Sequence, residues 1–118
     1  MKKKIYHLAS CTTCQAILKK VMPGSDVEMQ DIKTEKITPA QIDEMKQMAG
    51  SYEALFSRRA LKYKEMGLAK QKLEEPDYRR LILEEYTFLK RPVMVLGDAI
   101  FVGNAPSTVD AAAAAFAK

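Results

Sequence analysis

The stretch Lys3-Lys4-Ile5-Tyr6-His7-Leu8-Ala9-Ser10-Cys11-Thr12-Thr13-Cys14 decides how the rest of the chain is read. Residues 3–8 make a strand-like run, and Gln15 to Met22 beyond the cysteines are helix-like. A cysteine between a strand end and a helix start faces backbone N–H groups that lack helical partners, and the positive end of the helix dipole. That setting favours the thiolate, which is the nucleophilic form. Cys14 follows about one helical turn later, close enough to attack a bond formed at Cys11. The pair therefore points to thiol redox chemistry, with Cys11 as nucleophile and Cys14 as resolving partner. Cys14 also shares a helix face with Ile17, Leu18 and Val21, so simple packing is its other reading.

Outward from this stretch, residues 12–22 form an amphipathic helix that Pro23-Gly24 ends. Asp26 to Asp31 reads as a short strand. Thr38-Pro39 opens a helix whose apolar face carries Ile42, Met45 and Ala49, with Gly50 as its stop. Ser51 caps a short helix through Phe56, Arg58 to Met66 is mixed, and Gly67-Leu68 breaks the pattern. From Pro76-Asp77 a stronger helix runs, with Tyr78, Leu81, Ile82, Tyr86 and Leu89 at helical spacing as a core stripe. Two strands, residues 91–96 and 99–103, flank Gly97-Asp98 and make the clearest hairpin. Pro106 to Lys118 is an alanine-rich helix with Val109, Ala112, Ala113 and Phe116 inward. An early βαβ, a hairpin and a closing helix give an α/β fold with a small mixed sheet. This is the thioredoxin-like arrangement, with a helical insertion around residues 38–89, and the whole of 1–118 is expected to be a single domain.

The totals agree with one globular core: 118 residues, of which 47% are hydrophobic. No apolar run approaches the ~20 residues of a membrane span. The start, Met1-Lys2-Lys3-Lys4, lacks the apolar segment of a secretory signal, and a cytoplasmic protein is expected. In a reducing compartment a CxxC pair is catalytic or sensing rather than a structural staple. The net charge of +4 is read as spread over Lys2-Lys3-Lys4, Arg58-Arg59, Arg79-Arg80 and Lys90-Arg91. It suits a small anion or an acidic protein partner, and not direct nucleic-acid or membrane binding. Two cysteines and the single His7 cannot close a four-ligand metal set. His7, four residues before Cys11, is a strand residue that could bear on the thiolate. Thr12 and Thr13 offer backbone N–H groups to an anion at Cys11, and their hydroxyls can cap the helix.

The chain resembles the arsenate reductase (ArsC) and Spx family. The resemblance runs nearly end to end and is carried by His7-Leu8-Ala9-Ser10-Cys11-Thr12-Thr13-Cys14, by Leu55-Phe56-Ser57-Arg58-Arg59 with Tyr63 and Gly67-Leu68, and by Lys90-Arg91-Pro92-Val93. It implies a thioredoxin-like fold. It also implies that Cys11 matches the cysteine that attacks arsenate, the adduct then being reduced by glutathione and glutaredoxin. On that reading no cofactor is resident, and glutathione or a thioredoxin-like protein acts as co-substrate. Arg91 matches one oxyanion-binding arginine and would lower the thiol pKa at Cys11. Pro92 after it is expected to be cis, as in the family. The mid-chain arginine position falls on Ser57, with Arg58 one residue on as a substrate-binding candidate beside Arg59. Another arginine position falls on Asn104, and the arginine after the cysteine loop is Gln15. The Spx-like branch resembles this chain in its CxxC. That branch binds the C-terminal domain of the RNA polymerase α subunit under disulfide control, and Gly50 lies near its polymerase-binding glycine.

Overall fold

The computed structural model describes residues 2–117. They form two compact units, residues 2–36 with 91–117 and residues 37–90.

The first unit is built on a four-stranded mixed sheet, with β1 (Lys3–His7), β2 (Glu28–Asp31), β3 (Val93–Leu96) and β4 (Ala99–Val102) in the order β2-β1-β3-β4. The β1–β2 pair is parallel, as the early βαβ reading requires, and the other two pairs are antiparallel. In register, Ile5 stands beside Met94 and Met94 beside Phe101, one apolar row across three strands. Helices α1 (Thr12–Val21) and α5 (Pro106–Phe116) cover that row with Ile17, Leu18, Val21, Val109, Ala112, Ala113 and Phe116. Ala112 is fully buried there, a methyl small enough to let two helices and a sheet meet. Lys4 occupies a buried strand position that would be costly for an unpaired charge. Its Nζ meets Glu28 Oε2 at 3.0 Å, directly across the β1–β2 register, and lies 4.8 Å from the Tyr6 ring centre. Gly97 takes φ 60 in the two-residue turn, where a tight hairpin demands positive φ.

The second unit holds α2 (Pro39–Ala49), α3 (Leu61–Glu65) and α4 (Glu75–Glu84), with 3-10 turns at Glu53–Leu55, Leu68–Lys70 and Tyr86–Phe88. Thr38 and Gln41 close the capping box that Thr38-Pro39 promised, and Gly50 ends α2 at φ 101. Phe56 is the hub. Its ring lies 4.9 Å from Tyr78 and 5.0 Å from Phe88, and Tyr63 meets it edge-on at 6.0 Å.

Several boundaries differ from those expected. The segment after Ser51 is a 3-10 turn rather than a short helix, with Ser51 Oγ accepting from the Ala54 N–H. Helix α4 stops at Glu84, so Tyr86 and Leu89 do not continue its stripe. Glu85 turns extended, and its carboxylate accepts from the Thr87 N–H and hydroxyl, starting a 3-10 turn after which Phe88 and Leu89 are both buried. The expected end of the last helix at Lys118 lies outside the described residues; α5 closes at Phe116. Among the described residues no helix is long and apolar enough to cross a membrane.

Candidate thiol site

Strand β1 delivers the chain into a turn closed by the Cys11 N–H donating to the Leu8 carbonyl at 3.0 Å. Cys11 is then the N-cap of α1, with extended backbone at φ −89 and ψ 117. An N-cap side chain usually accepts from the first-turn N–H groups through oxygen. Here sulfur holds that place without a side-chain cap hydrogen bond, and the first-turn backbone at Cys14 and Thr13 favours its ionised form. Thr12 and Thr13 are both exposed, so the helix start stays open around the sulfur.

The two cysteines are free thiols in opposite surroundings. Cys11 is partly exposed, whereas Cys14 is buried in the face of α1. Partial burial raises the Cys11 pKa. The backbone at Cys14, the Cys14 thiol, the backbone at Thr13 and the Arg91 charge outweigh it and hold Cys11 below the ordinary thiol value. Burial pushes Cys14 up to about 11, and the charge of Cys11 and the hydrogen bond to it add to the rise. A backbone hydrogen bond at Leu8 and the Arg91 charge oppose that rise without overcoming it. Of the two thiols Cys14 is the one that keeps its proton, and Cys11 is the more readily ionised.

Arg91 comes into range through topology. Val93 of β3 pairs with Tyr6 of β1, so the residues just before Val93 lie at the end of the sheet where the cysteine loop leaves β1. The Arg91–Pro92 peptide bond is cis, and the Pro92 carbonyl accepts from the Gly103 N–H at 2.9 Å. Val102 pairs with Val93, which brings the exposed Asn104 to this same end. An amide stands there in place of a cation.

Other candidates are engaged elsewhere. Arg58 belongs to the second unit, where its Nη2 donates to Glu53 Oε2 at 2.6 Å and to the Tyr78 hydroxyl at 3.1 Å. Ser57 donates its N–H to the Phe88 carbonyl, and its Oγ accepts from the Arg59 N–H. The His7 carbonyl receives the Ile32 N–H, and its Nδ1 is buried without a hydrogen-bond partner. One contributor was missed by sequence reasoning. Gln15 Nε2 donates to the Ala9 carbonyl at 2.7 Å and ties the cysteine loop to the first turn of α1. Its position four residues after Cys11, on the exposed side of that turn, was the available signal.

Among solved structures, the YffB protein superposes with a TM-score of 0.77 at 23% identity, over 98% of this chain and 99% of its own. An arsenate reductase from Vibrio cholerae gives 0.73 at 18% identity, over 94% and 98% of the two chains. An arsenate reductase (ArsC) related protein from Brucella melitensis gives 0.71 at 22%, over 94% and 93%. These likenesses establish the thioredoxin-like fold of ArsC proteins. No curated protein matches the sequence significantly. The ArsC family model matches residues 6–112, which spans the cysteine loop, both units and most of α5, and the chain therefore belongs to the ArsC family.

Proposed function

We propose that the protein is a thiol-dependent oxidoreductase in which Cys11 is the nucleophile, Cys14 the resolving thiol and Arg91 their electrostatic partner. Membership of the ArsC family supports the class of chemistry. The observation that carries the reading is the pairing itself: a cysteine at an open helix start, held below the ordinary thiol value, with a buried, protonated thiol one turn away. The Cys11 thiolate attacks a substrate disulfide, forms a mixed disulfide and expels the second half as thiolate. That step removes the Cys11 charge and the hydrogen bond, two of the causes that hold the Cys14 proton in place. Cys14 then releases its proton and attacks Cys11 Sγ. The remaining substrate half leaves as thiolate, so the substrate gains two electrons and the cysteines become a disulfide. Glutathione, glutaredoxin or a thioredoxin-like protein returns the pair to the dithiol. Thr12 and Thr13 line the approach, and Pro92 fixes the chain beside Arg91.

Arsenate is a poor substrate on this reading. Oxyanion binding needs several fixed cations, and the guanidinium of Arg58 is already held by Glu53 and Tyr78. An Spx-like regulator that binds the RNA polymerase α subunit would use the same two thiols as a switch.

Intact mass after diamide treatment tests the pair. Wild type is expected to lose two hydrogens without adding mass, and Cys14→Ser to accumulate a mixed disulfide at Cys11 with oxidised glutathione. If wild type shows only higher sulfur oxides, or Cys14→Ser stays unmodified, the resolving role fails. Trapping cell partners on Cys14→Ser separates the two uses: redox enzymes support the oxidoreductase, and RNA polymerase α supports the regulator.

A further inference from the structure

The charge of this chain is not spread as its scattered clusters suggest. Residues 58–72 carry six Lys or Arg and one Glu, a net +5. The remaining 103 residues carry thirteen Lys or Arg against fourteen Asp or Glu, a net −1. The whole positive excess of the protein therefore sits in one fifteen-residue segment, a correction to the even distribution read from the dipeptides.

The second unit holds this segment from behind and leaves its outer side bare. Tyr63 packs edge-on against Phe56, and Leu68 is buried. Helix α3, between Ala60 and Met66, buries none of its residues. Leu61 is 79% exposed and Met66 46%, two of the four large apolar side chains that stand out at the surface among the described residues. Arg58 is paired with Glu53, and Lys62 with Glu65. Arg59, Lys64, Lys70 and Lys72 are exposed and make no ion pair among the described residues.

We infer that residues 59–72 are a docking surface for an acidic protein, in which Leu61 and Met66 supply the apolar contact and the four unpaired cations the steering field. Protein interfaces join an apolar centre to a charged rim, and complementary charge raises association rates and selects partners. Exposed leucine and methionine gain nothing from phosphates, which argues against nucleic acid. Nor does the segment offer an exposed aromatic for stacking, or a helix long enough to read a groove. A membrane-surface helix needs one continuous apolar face over several turns, and α3 has five residues with Leu61 as its one exposed large apolar side chain.

The inference does not depend on the cysteine chemistry, and its test leaves the cysteines untouched. The full-length, isotope-labelled protein is titrated with a synthetic glutamate-rich peptide carrying leucines, with the same peptide after leucine-to-serine replacement, with a DNA duplex, and with phosphatidylserine vesicles. The leucine peptide is expected to shift amides within residues 59–72 and to bind more weakly as salt rises. Affinity should fall about tenfold with Leu61→Ser or with the serine peptide, the loss expected from one leucine contact. It should also fall with Lys64→Glu combined with Lys70→Glu. All these positions are exposed, so the variants fold. Tighter binding to DNA or vesicles would overturn the proposal. So would shifts confined to other residues, no binding at all, or affinity indifferent to both leucine changes.

Discussion

Cys14 stands at about 11 because it is buried beside a thiolate, while Cys11, one turn earlier, is held low by backbone donors, the Cys14 thiol and Arg91. At neutral pH the Cys14 thiolate is then about one part in ten thousand. Iodoacetamide should therefore label Cys11 faster than Cys14 by about a hundredfold or more, as resolved by peptide mass. Comparable rates would remove Cys11 as the nucleophile. Arg91 lowers the pKa of both sulfurs, so Arg91→Ala should move the Cys11 alkylation midpoint to higher pH and slow labelling several-fold near neutrality. A pH profile identical to wild type would place Arg91 out of range. At this scale the place of Cys11 at a helix start was legible in the sequence, because its cause is local: a strand end, a turn and a helix start. The protonation of Cys14 was not legible. Its cause is burial, and spacing alone left packing and resolving equally open.

Among the elements, Asp43 is one carboxylate that joins helix α2 to its surroundings. Asp43 accepts from Arg79 Nε at 2.8 Å and from the Tyr52 hydroxyl at 2.6 Å, which ties α2 to α4 and to the loop between. The Arg79 hydrogen bond first, then Tyr52, holds the Asp43 carboxyl down at about 2. A carboxylate lowered on folding adds stability that is complete above its unfolded value of about 3.9, and loses it as pH falls through the folded value. Asp43→Asn should therefore lower Tm by a few degrees at neutral pH, with the gap to wild type closing as thermal melts are taken toward pH 2. A constant gap across that range would mean that packing, not charge, is what the substitution disturbs. Helix starts were well placed from sequence, since Thr38 with Gln41 carries its own short-range geometry. The end of α4 was misplaced because apolar residues at helical spacing, Tyr86 and Leu89, continue past it. Only the side-chain bond from Glu85 to Thr87 shows why the chain turns.

For the whole molecule, the arrangement bears on which oxyanion chemistry survives. Losing one fixed donor from an anion-stabilising site costs ~10²–10³ in turnover. With Gln15 holding Ala9, Asn104 neutral and Arg58 committed to Glu53 and Tyr78, arsenate turnover with glutathione and glutaredoxin should be weak or absent while disulfide exchange persists. Brisk, saturable arsenate turnover in a steady-state assay would show that other basic side chains fill those positions. The sequence by itself determined the order of elements, the parallel start, the hairpin and the place of Cys11, because each rests on contacts between near neighbours in the chain. Tertiary structure alone decided that Arg91 reaches the cysteine end of the sheet, through the pairing of β3 with β1. It also decided that Arg58 turns to Glu53 and Tyr78, and that Leu61 and Met66 remain uncovered among unpaired cations. Those outcomes depend on which distant residues meet, and periodicity along a chain holds no record of what a side chain finds when the chain has closed on itself.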